Sequence, residues 1–141
     1  MKHFLSIIIV VFLILSCDDP QYKDLLPDTS VDVTINLNIS AYNNLLVPGG
    51  WANTPTSGYG FKGILIYNKN GTFIAYERAC PHLAITECSM MTFDGLLLTC
   101  PCDESTFNIF AGGVSESGVA YRAREYHVQQ IGANSLRITS Y

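Results

Sequence analysis

The stretch Cys80–Phe107, CPHLAITECSMMTFDGLLLTCPCDESTF, decides how the rest of the chain is read. It opens on Cys80-Pro81-His82 and closes around Cys100-Pro101-Cys102-Asp103, with seventeen residues between His82 and Cys100. Each group comes just after a strand-like run, FIAYE (73–77) before the first and LLLT (96–99) before the second. Two loops leaving the ends of hairpin strands can bring their side chains around one centre. Thiolate, imidazole and carboxylate are also the side chains that hold iron or zinc. The spacing therefore raises a choice between a metal site and a frame that keeps the loops without the metal.

Outward from this stretch the pattern is that of strands. Val31, Val33, Ile35, Leu37 and Ile39 alternate with Asp32, Thr34, Asn36 and Asn38, the period-2 signature of a strand with one buried face. VPGGW and TPTSGYG are loop punctuation. KGILIYNKNGTFIAYE predicts a hairpin turning at Asn70-Gly71. Further short strands are expected at Met91–Phe93, Leu96–Thr99, Ala123–Gln129 and Ser135–Thr139, with turns at Asp94-Gly95 and Gly132-Ala133-Asn134. Beyond the N-terminal apolar run no segment has helical periodicity. The expectation is one small antiparallel all-β domain, a sandwich or barrel, over residues 31–141.

The N-terminus reads as an export signal. In MKHFLSIIIVVFLILSC, Lys2 precedes an apolar run that is short for a membrane span, and Ile14-Leu15-Ser16-Cys17 resembles a bacterial lipobox. This predicts a signal peptide over 1–16, lipid attachment at Cys17, and an acidic, proline-bearing tether over 17–30. An ordinary signal peptide or a short anchor helix remains the alternative. The expected location is the cell envelope of a bacterium, facing the periplasm or on the cell surface. The whole chain carries a net charge of −4, which argues against a nucleic-acid partner. Outside the cytoplasm free thiols tend to pair. Four cysteines follow Cys17, namely Cys80, Cys88, Cys100 and Cys102, and an even number permits two disulfides, or one disulfide and two metal ligands.

Residues from about Gly63 to Thr139 resemble the Rieske [2Fe–2S] domain, whose first box is C-x-H and second box C-x-x-H. The resemblance implies Cys80 and Cys100 on one iron and His82 on the other, with Asp103 at the position of the second histidine. It implies a bracing disulfide between Cys88 and Cys102, a shielding role for Leu83, and a tuning hydroxyl on Ser105. Phe107, Gly112, Gly118, Tyr126 and Val128 continue the family's run. Two departures stand out: Asp103-Glu104 replaces His-Gly. Glutamate gives up the glycine's freedom at positive φ, and a carboxylate adds a negative charge that disfavours reduction. A cluster held this way is expected below the Rieske range of roughly −150 to +300 mV and above about −400 mV.

Three functions follow as expectations. One is a lipid-anchored electron carrier with a [2Fe–2S] cluster on Cys80, His82, Cys100 and Asp103, serving an unidentified redox partner or membrane protein. Another is a metal-free binding or structural module with disulfides Cys80–Cys100 and Cys88–Cys102, each worth about 2–4 kcal/mol. A single zinc on the same four residues is the third. No catalytic residue set for hydrolysis or phosphate chemistry is legible, and the chain is too small for a complete oxygenase. Glu87 and Glu104 are second choices for the oxygen ligand. His127 is expected at the surface, His3 lies in the leader, and Trp51 is expected in the core.

Overall fold

The structure, a computed structural model, describes residues 23–141; the expected signal peptide and Cys17 lie outside the described residues. Among the described residues there is no α-helix, and ten strands form two antiparallel sheets. The larger is built from β1 (Asp32–Asn36), β2 (Trp51–Asn53), β3 (Ile64–Lys69), β4 (Thr72–Glu77), β9 (Glu125–Gly132) and β10 (Ser135–Thr139), in the order β1-β10-β9-β4-β3-β2. The smaller runs β5 (Thr92–Phe93), β6 (Leu97–Thr99), β7 (Thr106–Asn108) and β8 (Val114–Ser115) side by side.

The β3–β4 hairpin is the wall between two cores. Its turn is Asn70-Gly71, with φ of 53° and 90°, the pair of positive values that a type I′ hairpin turn needs. Ile64, Leu65 and Ile66 are all fully buried because β3 is covered on both faces, which is why ILI reads as a continuous apolar run. Ile64, Ile66 and Ala75 face one core with Ile35, Tyr126, Leu136 and Ile138. Leu65 and Tyr76 face the other, with Leu98, Phe107, Cys80 and Cys100. The cysteine loops are thus seated on a packed layer shared by both sheets.

Several expectations shift in position. The alternation of residues 31–39 pairs β1 with β10, Val33 opposite Ile138 and Ile35 opposite Leu136, but the strand ends at Asn36 and Ile39 is exposed. The strand expected at Ala123–Gln129 runs Glu125–Gly132 instead. β2, β7 and β8, at two or three residues each, are too short to show a period in the sequence. Trp51 is not in the core: it is 39% exposed on the edge strand β2, edge-on to Phe93 with ring centroids 5.4 Å apart. An edge strand has one free side, and the second core is closed by Tyr67 and Phe93 without it. His127 is exposed, as its place opposite Tyr126 in the alternation implies.

The expected tether boundary at residue 30 also meets a different geometry. Leu26 is buried, and Asp24 forms a buried ion pair with Arg124, whose guanidinium also donates to the carbonyls of Leu26 (2.7 Å) and Pro27 (2.8 Å). The Leu25 N–H donates to the Pro81 carbonyl at 2.6 Å, inside the first cysteine loop. From Asp24 onward the chain is strapped to the domain.

Candidate functional site

The first loop leaves β4 through a buried anchor. Glu77 is fully buried, and its carboxylate accepts four hydrogen bonds: Phe61 N–H (2.9 Å) and Tyr126 O–H (2.8 Å) on Oε2, Lys62 N–H (2.9 Å) and Ala79 N–H (3.0 Å) on Oε1. A buried charge is tolerable when its lone pairs are filled in this way. The anchor fixes Ala79, and Cys80 follows. The Cys80 N–H then donates to Ser89 O (2.8 Å) and Met91 N–H to Arg78 O (2.6 Å), closing the loop on itself.

The second loop is a tight turn between β6 and β7. Cys100 N–H donates to Ser105 O and Glu104 N–H to Cys100 O, both at 2.8 Å. Glu104 takes φ +62°, so the backbone conformation that suits the family's glycine is kept by a residue that adopts it at a cost of about 1–2 kcal/mol.

The loops meet as expected from the sequence, and the four supposed ligands pair off. Cys80 and Cys100 are bonded at 2.08 Å, both fully buried, and Cys88 is bonded to Cys102 at 2.08 Å. His82 Nε2 stands 2.6 Å from Asp103 Oδ2, its side chain 8% exposed against 38% for the aspartate. Asp103 also accepts the Ser105 hydroxyl on Oδ2 (2.9 Å) and the Ser105 N–H on Oδ1 (3.2 Å). The His82 hydrogen bond, helped by Ser105, holds the Asp103 carboxyl below its ordinary range. Ser105, expected to point at a cluster sulfur, spends its hydroxyl on Asp103. Leu83 packs partly buried against the core that contains the cysteines.

These contacts test the fit of a metal. Two ligands of one tetrahedral ion, each at about 2.0–2.2 Å, stand roughly 3.4 Å apart. His82 and Asp103 are closer than that and bonded to each other, and the two sulfurs a cluster needs as thiolates are joined. In this state the set fits neither a [2Fe–2S] cluster nor zinc. One detail points the other way: His82 Nδ1 is buried without a hydrogen-bond partner among the described residues. Donor atoms of His82, Cys100 and Asp103 also lie within 4.8 Å of one another. Glu87 and Glu104 belong to neither ligand group found here. Sequence reasoning missed Glu77, whose only signal is a charged residue ending an apolar strand just before the first box.

No protein-family model matches the chain, and no curated protein matches it. Solved structures do. A chain in the complex of reduced oxygenase and oxidized ferredoxin in carbazole 1,9a-dioxygenase is similar over 77% of this chain and 93% of its own, at 19% identity and a TM-score of 0.51. The ferredoxin of carbazole 1,9a-dioxygenase from Nocardioides aromaticivorans IC177 matches over 81% and 100%, at 18% identity and 0.49. A putative NADH-dependent nitrite reductase small subunit from Mycobacterium tuberculosis matches over 81% and 98%, at 15% identity and 0.49. Two sheets, two apposed loops and the likeness in architecture to the first of these structures make the chain a Rieske-like all-β domain in its fold.

Proposed function

We propose that this protein is a lipid-anchored, exported Rieske-like module that works without a cluster, as a disulfide-braced domain docking on a partner at the membrane. One observation carries the proposal: the four family ligand positions are consumed pairwise, Cys80 with Cys100 and His82 with Asp103. Two disulfides suit an oxidising compartment, in keeping with the export signal. Lipidation at Cys17 leaves seven residue steps to Asp24. At about 3.5 Å each, these hold the strapped face within about 25 Å of the lipid. A partner there is membrane-bound or lies on the membrane.

The test is elemental and thiol analysis of protein purified anaerobically from native membranes. Thiol labelling under denaturing conditions without reductant is expected to find none of Cys80, Cys88, Cys100 and Cys102 free, with far less than one iron per chain. Two free thiols together with two irons and two acid-labile sulfides would overturn the proposal.

A second reading is an electron carrier. It is favoured by His82 Nδ1, buried without a hydrogen-bond partner among the described residues, and by the fold shared with a complex whose name includes an oxidized ferredoxin. In that reading Cys80, Cys100, His82 and Asp103 hold a [2Fe–2S] cluster, which supplies one-electron transfer to a redox partner. It requires Cys80 and Cys100 as thiolates and His82 separated from Asp103.

A further inference from the structure

The two disulfides differ in access and are nearly in contact. Cys80 and Cys100 are fully buried, whereas Cys88 is exposed and Cys102 half-buried. The sulfurs of Cys80, Cys100 and Cys102 all lie within 4.8 Å of one another. The Thr86 hydroxyl sits beside the outer bond, 3.4 Å from Cys88 Sγ and 3.9 Å from Cys102 Sγ. A buried disulfide cannot be attacked directly by an external thiolate, because exchange needs access to a sulfur. An adjacent internal sulfur removes that barrier.

We infer that Cys88–Cys102 is a thiol-exchange site for a dithiol reductant, and that Cys102 relays the exchange to the buried Cys80–Cys100 bond. The inference rests on the doubly bridged state described above. In the first step one thiolate of the dithiol attacks Cys88 Sγ. A bond forms between the reductant and Cys88, the Cys88–Cys102 bond breaks, and Cys102 leaves as a thiolate beside the Thr86 hydroxyl. In the second step the Cys102 thiolate attacks Cys80 Sγ, making Cys80–Cys102 and releasing Cys100 as a thiolate. Attack on Cys80 is favoured over Cys100 because the single residue between Cys100 and Cys102 is Pro101, whose ring fixes φ. In the third step the second thiol of the reductant, as thiolate, attacks its own mixed disulfide, releasing the Cys88 thiolate and the oxidised reductant. The reductant loses two electrons and two protons, and the protein exchanges two disulfides for one disulfide and two thiols. The released Cys100 sulfur is the one already within 4.8 Å of donor atoms on His82 and Asp103.

The experiment uses the full mature chain and dithiothreitol as the dithiol. Free thiols are counted first; then one equivalent is added, the mixture is quenched in acid, and alkylated peptides are mapped by mass spectrometry. The expected result is a Cys80–Cys102 peptide with alkylation on Cys88 and Cys100. Alkylation confined to Cys88 and Cys102 at every time point, with Cys80–Cys100 intact, overturns the relay. In the Cys102→Ser variant the buried bond should be reduced about tenfold more slowly under native conditions; an unchanged rate also overturns it. If that variant does not fold, the wild-type peptide map decides alone. Two free thiols before any dithiothreitol is added would end the doubly bridged reading itself, whereas no free thiols and no transfer would end only the relay.

Discussion

Replacing Glu77 by alanine is the sharpest probe of what holds the first cysteine loop. The substitution strands three backbone N–H groups (Phe61, Lys62 and Ala79) and the Tyr126 hydroxyl in the interior. At about 1–3 kcal/mol for each unsatisfied group, the gross loss is roughly 4–12 kcal/mol. Two effects offset it. A charge no longer has to be held out of water, worth several kcal/mol, and water can enter the space left behind. A net loss of about 3–5 kcal/mol is expected, a large share of the stability of a domain this size. Glu77→Gln should lose somewhat less, because its amide oxygen still accepts one pair of these hydrogen bonds while its NH2 group, a donor only, faces the other pair. Tyr126→Phe removes one donor and keeps the charge, so about 1 kcal/mol is expected. Urea unfolding followed by Trp51 fluorescence and circular dichroism measures all three. With a slope of about 1–1.5 kcal/mol per molar urea, the alanine variant's midpoint falls by about 2–5 M, or the protein is unfolded in buffer. A midpoint within about 0.5 M of wild type would refute the claim that this carboxylate organises residues 60–63 and 77–79.

Three further outcomes follow from other contacts. Glu104→Gly should stabilise the domain by about 0.5–1 kcal/mol, since φ of +62° suits glycine and the added freedom of the unfolded chain offsets only part of the relief; thermal melts check the sign. Arg124→Ala leaves Asp24 buried without its counter-charge, so a loss of about 3–5 kcal/mol is expected together with faster proteolysis near residues 23–27. Burial pushes the Glu125 carboxyl up from its ordinary value of 4.5, only partly countered by the neighbouring Tyr76 hydroxyl. A raised folded value means that its contribution is fully present in acid and is lost as pH rises through that raised value. Glu125→Gln should therefore melt higher than wild type at neutral pH and lose this part of the pH dependence; parallel pH profiles for the two proteins would contradict it.

Much of this molecule is written locally. Asn70-Gly71 between two runs of β-branched and aromatic residues specifies the central hairpin, because a type I′ turn, with two positive φ values, matches the twist of its strands. The order of the boxes and the strands before them brought Cys80, His82, Cys100 and Asp103 together, and the family resemblance implied the Cys88–Cys102 pair. What the residues alone left open was the state of that meeting point. Whether two sulfurs flank a metal or bond to each other is a difference of about 1–2 Å across loops some twenty residues apart, and no local periodicity carries that information. The same holds for Glu77, which is tolerable in the core only because donors from two other segments converge on it. It holds for Asp24 and Leu26, whose acidic, proline-bearing context reads as linker until Arg124, a hundred residues away, supplies the partner. Trp51 follows the same logic in reverse: its size argues for burial, but its strand lies at the sheet's edge and the core is filled by others. Local chemistry set the frame and named the chemical groups; long-range packing decided which group each one touches.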